Sequence, residues 1–246
     1  MRIITVTTVI GLLLGLAATP AAAQEKKAPI TIHGGATLVT DYRFRGISQT
    51  DRRPALQGFV TVEHESGVYA SVWGSSIDDY VAHGADQELD LIAGVKHSFG
   101  ATTIDAGVLY YYYPGSGGVA SDFVEPYASI TQAVGPASIK GSIAYAPRQN
   151  ALSVGNGRED NLYLAGDVSL AVPDSPISLT GHLGHSKGPS FITIGRSTTD
   201  WSLGASAAWR GLTLGVAYVD TDATAFSPRG RQIAGSGIVA SLGASF

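Results

Sequence analysis

Residues 103–112 carry the sequence TIDAGVLYYY, and this stretch decides the fold class. Ile104, Ala106 and Val108 occupy alternate positions, with Asp105 between the first two. Successive side chains of a β-strand point to opposite faces, so the segment has one apolar and one polar face. About ten residues, rising about 3.3 Å each and tilted by about 40°, cross an apolar layer roughly 25 Å thick. The segment therefore has the pattern and length of a membrane-spanning strand.

The same alternation recurs along the chain in twelve segments, most of them near ten residues long. Short connections, such as those at Gly100 and Gly211, alternate with long ones, such as residues 78–87 and 221–234. Short turns on one rim and long loops on the other are typical of outer-membrane barrels. We therefore predict an all-β protein, a transmembrane antiparallel up-and-down β-barrel of about 12 strands with periplasmic termini. A soluble β-sandwich is the alternative fold.

The composition excludes several classes of protein. Gly occupies 31 of 246 positions and charged residues only 15%, whereas typical domains have about 7% Gly and about 25% charged residues. The absence of Cys excludes disulfide scaffolds and thiolate metal sites. The net charge of −4 provides no basic surface for nucleic acid. Beyond the first two dozen residues no apolar run reaches the roughly 20 residues of a membrane helix.

The N-terminus has the features of an export signal. Arg2 provides a positive charge, residues 9–18 are apolar, and three alanines ending at Ala23 form a small-residue cleavage site. We predict a signal peptide over residues 1–23, a mature barrel over residues 24–246, and export to the bacterial outer membrane.

The charged residues share the parity opposite to the apolar side chains. A charged side chain facing lipid at mid-membrane costs about 2–4 kcal/mol for Arg or Lys, so the lumen is the favourable place. Acids outnumber bases, which predicts a water-filled channel for passive diffusion of small hydrophilic solutes, with a mild preference for cations. The predicted pore-lining residues are Asp41, Arg43, Arg45, Glu88, Asp90, Lys96, Asp105, Glu125, Lys140, Asp167 and Arg210.

Two alternatives to an open channel remain. The lumen charges can pair with one another and plug the barrel, which would make it a non-conducting structural or adhesive protein. Arg43 and Arg45, on one inward row, can bind a carboxylate or phosphate or instead brace the wall through Glu88 and Asp90.

Aromatic residues fall at the ends of the predicted strands, where their amphipathic rings favour the headgroup level. Phe246 closes the last alternating run like the C-terminal signature of outer-membrane proteins, so we predict recognition by the barrel-assembly machinery. The other expected partners are outer-membrane lipid and lipopolysaccharide, the latter through Arg52, Arg53, Arg229 and Arg231. The predicted girdle comprises Tyr42, Phe44, Tyr110, Tyr112, Tyr145, Trp201, Trp209, Tyr218 and Phe246.

A lipid-modifying barrel enzyme is a third hypothesis. Its candidates are His64 with Ser66, and His182 or His185 with Ser186. None lies in a nucleophile-elbow sequence. We therefore expect no enzyme, and no cofactor or metal. The acidic loop with Asp78, Asp79, His83 and Asp86 is expected to be solvated.

Several short motifs carry a family resemblance. They are DYRFRGISQ at 41–49, PALQG at 54–58, EHESGVY at 63–69, ELDL at 88–91 and YYYYPG at 110–115. With them the chain resembles the TorF-type porins, a proteobacterial outer-membrane family also catalogued as the Gcw_chp conserved hypothetical proteins. The resemblance implies an outer-membrane barrel with a porin role. It implies no catalytic or binding residues.

Overall fold

The computed structural model describes residues 29–155, 157–193 and 197–246. The signal peptide predicted at residues 1–23 lies outside the described residues. Among the described residues no helix is long and apolar enough to cross a membrane.

The described residues form strands and two single-turn 3₁₀ helices, at Asn150–Leu152 and Phe191–Thr193. The strands are β1 (Ile30–Val39), β2 (Arg43–Phe44), β3 (Ile47–Ser48), β4 (Ala55–His64), β5 (Val68–Ser76), β6 (Gln87–Phe99), β7 (Thr102–Tyr112), β8 (Phe123–Val134), β9 (Ala137–Gln149), β10 (Glu159–Ala171), β11 (Ile177–Lys187), β12 (Ser197–Trp209), β13 (Leu212–Thr221) and β14 (Gly237–Ser245).

All strands except β2 and β3 form one closed antiparallel barrel, and each pairs with its neighbours in chain order. β1 closes the ring by pairing with β4 on one side and with β14 on the other. At the seam, the backbone N–H of Phe246 donates to the carbonyl of Gly34. This arrangement confirms the predicted twelve-stranded up-and-down barrel.

The connections alternate in length as predicted. Those at 65–67, 100–101, 135–136, 172–176 and 210–211 are short and share one rim with both ends of the described chain. Those at 40–54, 77–86, 113–122, 150–158, 188–196 and 222–236 are long and share the opposite rim. We call these the short-turn rim and the long-loop rim.

The outer face of the barrel is apolar, as the alternation predicts. Leu203 and Ile238 expose 68% and 66% of their surface, whereas inward-facing neighbours such as Asp200 are buried. The tyrosine run shows the pattern clearly, because Tyr110 and Tyr112 are exposed and Tyr111 is buried. A continuous exposed band of such residues is stable only against lipid.

Placing Arg43 and Arg45 on one inward row and Tyr42 and Phe44 in the girdle implies a first strand that continues to Arg45, and the structure corrects this. β1 ends at Val39, and residues 40–54 fold into the barrel, where β2 and β3 pair as a small hairpin. Arg45 and Gly46 form its turn with positive φ angles of 48° and 82°. The ten residues of β1 are enough to span the apolar layer, and beyond Thr40 the chain pairs with itself and with other loops instead of extending the strand.

This inward segment builds an apolar core in the long-loop half of the barrel. Tyr111 and Phe123 stack there with ring centroids 4.1 Å apart. Tyr42 of the inward segment packs on Trp73, and Phe44 lies edge-on to Tyr111. The core consists of Val39, Tyr42, Ala55, Trp73, Ile77, Ala82, Ala85, Ile92, Leu109, Tyr111, Tyr113, Phe123, Ala146, Ala151, Leu152 and Ile192.

The turns of the short-turn rim allow a test of the fold. Gly67 has a φ of +88°, and an added Cβ would overlap the carbonyl oxygen of Lys96. Gly135 has a φ of +58°, but a Cβ there would face open space within the described structure. A left-handed conformation costs an L-residue about 1–2 kcal/mol. We expect Gly135→Ala to lower the free energy of unfolding by about that amount, and Gly67→Ala by about 2 kcal/mol more.

Urea unfolding of the barrel in detergent micelles, followed by tryptophan fluorescence, measures this difference. Equal stabilities for the two variants would contradict the described β4–β5 turn.

Candidate functional site: the barrel interior

The interior is divided into two halves with different access to solvent. Beside the inward segment, the side chains of Arg45 and Glu125 are 3% and 0% exposed. Towards the short-turn rim, the inward side chains of Glu63, Asp167 and His182 keep 26%, 29% and 25% of their surface accessible. We call the first the sealed half and the second the hydrated half. The inner charges therefore lie in two different dielectric environments.

Arg45 is the centre of the sealed half. Its Nη2 donates to both carboxylate oxygens of Glu125 on β8, at 2.7 and 2.8 Å. Its Nη1 donates to Asn161 Oδ1 on β10 at 2.8 Å and to Ser186 Oγ on β11 at 3.5 Å. The guanidinium also lies over the Tyr163 ring, 4.1 Å from its centroid. One side chain therefore joins the inward segment to three barrel strands.

Asp41 and Arg43 organise the segment itself. Arg43 Nε donates to Asp41 Oδ2 at 2.6 Å, and Arg43 Nη1 donates to the carbonyls of Gly46, Ile233 and Gly235. Asp41 Oδ1 also accepts the Ser48 hydroxyl at 2.5 Å. Asp41 and Arg43 thus bind partners within the inward segment, and Arg43 also binds the loop at 222–236.

Two carboxylates of the sealed half are not matched by a base. Glu88 and Asp90, which follow one another on the inner face of β6, are 2% and 7% exposed. The Tyr42 hydroxyl donates to Glu88 Oε1 at 3.1 Å. Asp90 Oδ1 and the neighbouring indole N–H of Trp73 have no hydrogen-bond partner among the described residues. Buried polar atoms of this kind carry a desolvation cost.

The hydrated half holds a belt of alternating charges. Lys96 Nζ donates to Glu63 at 2.9 Å, and Lys96 also faces Asp105 across the β6–β7 pair. Asp105 interacts electrostatically with Lys140, which faces Asp167 on β10. The belt continues through His182, whose Nδ1 lies 2.7 Å from Asp167 Oδ1 and whose Nε2 lies 3.0 Å from Asp200 Oδ1. Negative and positive groups thus follow one another around the wall from β4 to β12.

Tyrosines lie against this part of the wall because glycines make room for them. A Cβ on Gly94 would lie 2.7 Å from the Tyr69 ring, and one on Gly107 would lie 2.6 Å from the Tyr127 hydroxyl. The hydroxyls of Tyr69 and Tyr127 hydrogen-bond to each other, and Tyr69 also donates to Asp105. The inner surface of the hydrated half is therefore polar and rich in hydroxyl groups.

A separate ion-pair cluster ties the outer loops together. Asp78 accepts from Arg53 and from Arg229, and Arg231 donates to the carbonyl of Asp51. Burial acts to raise the pKa of Asp78, but the hydrogen bonds from Arg229 and Arg53 outweigh it and hold the pKa below its usual value. Burial raises the pKa of Tyr80 in the same loop to about 12, and its hydroxyl donates to the carbonyl of Ser48. These arginines, expected at lipopolysaccharide phosphates, already contact carboxylates or carbonyls of the protein.

The predicted pore-lining residues separate into three groups. Glu88, Asp90, Lys96, Asp105, Glu125, Lys140 and Asp167 lie on the inner parity of barrel strands. Asp41, Arg43 and Arg45 lie inside the barrel, but on the inward segment instead of the wall. The prediction for Arg210 is wrong, because it lies exposed in the turn at 210–211, with its guanidinium 4.9 Å from the Trp209 ring centroid.

The aromatic girdle is corrected at two positions. Tyr42 and Phe44 do not face lipid, because they belong to the inward segment and pack on Trp73 and Tyr111. The other predicted girdle residues lie on the outer parity near strand ends: Tyr110, Tyr112, Tyr145, Trp201, Trp209, Tyr218 and Phe246.

Of the histidine and serine candidates, only His64 and Ser66 come together. His64 and Ser66 hydrogen-bond at 2.8 Å in an exposed turn. His185 lies on the outer parity and contacts Thr199, whereas Ser186 is buried beside Arg45. His182 belongs to the charge belt. In the described ranges no group of three or more His, Cys, Asp or Glu side chains is arranged to hold a metal ion.

Sequence reasoning missed Tyr163, Asn161 and the inward fold of residues 40–54. The length of β1 gave no clear signal for the inward fold, because four other barrel strands have 13 residues. No local sequence pattern marks Asn161 and Tyr163, because both act through contacts with Arg45, which is more than 100 positions away in the chain.

The two halves predict different costs for losing a carboxylate. Glu125→Gln leaves buried Arg45 without its anionic partner, so we expect the free energy of unfolding to fall by about 3 kcal/mol. Glu63→Gln removes the partner of the more exposed Lys96, and we expect a loss below about 1 kcal/mol. Urea unfolding in micelles measures both values, and similar losses would contradict the division into sealed and hydrated halves.

Comparison with known proteins places this barrel in a structural group. No curated protein matches the chain in sequence. The structure is similar to the NanC porin, with a TM-score of 0.60, 12% identity, and coverage of 88% of this chain and 99% of that one. It is also similar to the KdgM porin, with a TM-score of 0.57, 10% identity, and coverage of 87% and 98%. An outer-membrane channel from Pseudomonas putida F1 gives a TM-score of 0.50, 12% identity, and coverage of 91% and 99%.

At these identities the likeness concerns the fold, which is that of outer-membrane porins and channels. The family is shown by sequence, because the model of Gcw_chp, described as a bacterial protein of unknown function, matches residues 23–246. This match confirms the resemblance to Gcw_chp, while the narrower TorF label stays a prediction. The chain belongs to the Gcw_chp family of bacterial proteins.

Proposed function

We propose that this protein is an outer-membrane channel of the porin type, through which small hydrophilic solutes diffuse passively. The observation that carries the proposal is the hydrated half of the interior. Three of its charged side chains, those of Glu63, Asp167 and His182, keep 26%, 29% and 25% of their surface accessible inside a closed barrel. The porin fold of the structural neighbours supports the same function.

The inner charges favour cations. Along the charge belt, four acids, Glu63, Asp105, Asp167 and Asp200, face three bases, Lys96, Lys140 and His182. A narrow wall with surplus negative charge raises the local concentration of cations. The preference is mild, because most of these groups are neutralised by their neighbours.

The proposal also includes how the protein is exported and how it is oriented in the outer membrane. The signal peptide at residues 1–23 directs export, and the short-turn rim with both ends of the mature chain faces the periplasm. Phe246, exposed at the end of β14, is the recognition element for the barrel-assembly machinery, and the girdle contacts lipid and lipopolysaccharide.

A non-conducting structural barrel is the second candidate. The packing of the sealed half favours it, because Tyr111, Phe123 and Leu152 are almost completely buried across the interior. Enzymatic activity has less support, since the His64–Ser66 pair lies in an exposed turn away from the interior.

Conductance in planar lipid bilayers tests the channel. We expect discrete channel events, with a potassium-to-chloride permeability ratio that exceeds unity. Replacing Asp105 and Asp167 with Asn removes two negative groups of the belt, so the ratio should fall towards unity. Asp174→Asn, in a turn on the short-turn rim, is the matched control and should leave the ratio unchanged.

Heat-dependent gel mobility verifies that each variant is a folded barrel. One variant has a short Gly-Ser linker in place of residues 41–53. If both the wild-type protein and this variant are folded and neither conducts, the result would contradict the channel and support the structural barrel.

A further inference from the structure

The inward segment is attached to the barrel in an unusual way. Its first residue, Thr40, is tied to β14, because its N–H donates to the carbonyl of Ala240. Beyond Thr40 the backbone hydrogen bonds go to the segment itself, as from Gln49 to Tyr42, or to other loops, as from Ser48 to Ile233 and from Asp78 to Gln49. The contacts of this part with the barrel strands are made by side chains, chiefly Arg45 and Tyr42. Residues 41–53 can therefore leave the interior without breaking the hydrogen-bond ladder of any barrel strand.

The segment is also conformationally strained. Arg45, Asp51 and Arg52 have positive φ angles of 48°, 52° and 55°, which L-residues rarely adopt. Such conformations persist only where surrounding contacts impose them. Withdrawal of the segment would release this strain.

Polar atoms at the contact are incompletely satisfied. Five buried side-chain atoms have no hydrogen-bond partner within the described ranges. They belong to Arg45, Asp51 and Arg52 of the segment, and to Trp73 and Asp90 on the wall beside it. Buried polar atoms are almost always paired in stable interiors. Their concentration here indicates that the closed arrangement is not optimised for maximum stability.

Arg45, at the centre of the sealed half, also reaches towards the charge belt through the ring of Tyr163. Its guanidinium makes the buried contacts with Glu125 and Asn161. The same guanidinium lies over the ring of Tyr163. The hydroxyl of Tyr163 hydrogen-bonds to Asp200 and His182 of the charge belt. Arg45 therefore links the packed contacts of the sealed half to the charge belt of the hydrated half.

From these observations we propose that residues 41–53 are a gate, closed in this structure and latched by the ion pair of Arg45 with Glu125, whose withdrawal opens the channel to the long-loop side. The proposal rests on the proposed channel function and specifies its regulation. Arg45 is the latch residue, and the solute is not bound by it.

Single-channel recording of two kinds of variant tests the gate. Arg45→Ala removes the latch, so we expect the open probability to rise by at least about tenfold relative to wild type. Arg210→Ala, which removes an arginine from an exposed turn, is the matched control and should behave as wild type.

A reversible lock tests the gate without disturbing the latch. Ile47 and Ala234 face each other across an isolated antiparallel bridge, a pairing that places Cα atoms about 4.5–5.5 Å apart, within disulfide range. The chain has no Cys, so Ile47→Cys with Ala234→Cys forms a single defined bond between the segment and the loop at 222–236. We expect oxidation to abolish channel openings and a reductant to restore them.

The outcomes separate the gate from the channel. Openings that are equal in oxidised and reduced protein, together with an unchanged open probability in Arg45→Ala, would overturn the gate while the channel stands. Absence of conductance in wild type, in Arg45→Ala and in the linker variant alike would overturn the channel function itself.

Discussion

An unpaired backbone N–H or C=O group in hydrocarbon costs several kcal/mol, so a β-structure can cross a lipid layer only as a closed ring. The pairing of β1 with β14 meets this requirement, and the remaining features depend on it. Closure gives every strand an inner and an outer face, which places apolar side chains such as Leu203 against lipid and charges such as Asp167 inside. It also creates an interior that the protein must either pack or leave to water.

This protein does both, in different halves. Near the long-loop rim, the inward segment supplies aromatic rings and Arg45, and the interior is packed like the core of a soluble domain. Near the short-turn rim, glycines such as Gly94 and Gly107 accommodate tyrosine rings against the wall, and charged groups line the wall in alternation. In the channel that we propose, the packed half would restrict passage and the hydrated half would set charge preference, so separate elements would carry the two tasks.

The sequence predicted the strands well, because each strand position is determined locally by the alternation of apolar and polar residues. It predicted the inward direction of Glu88 and Glu125 for the same reason. It failed at Tyr42 and Phe44, since alternation describes the local backbone and does not reveal whether a segment pairs with the barrel or with itself. The prediction failed at Arg210 because the alternation of inward and outward side chains was continued to this residue, which lies one position beyond the end of β12. The contact of Arg45 with Glu125 joins residues 80 positions apart, and no local pattern encodes it.

The central claim is that the interior has a sealed and a hydrated half within an apolar outer wall, and β11 alone can test it. Because the chain has no Cys, single cysteines can be placed at Ser178 in the hydrated half, at buried Ser186 in the sealed half, and at lipid-facing Leu183. The measurement is the rate of labelling by a water-soluble maleimide in lipid vesicles. Our account predicts rapid labelling at 178, slow labelling at 186 and none at 183. Equal rates at 178 and 186, or rapid labelling at 183, would contradict it.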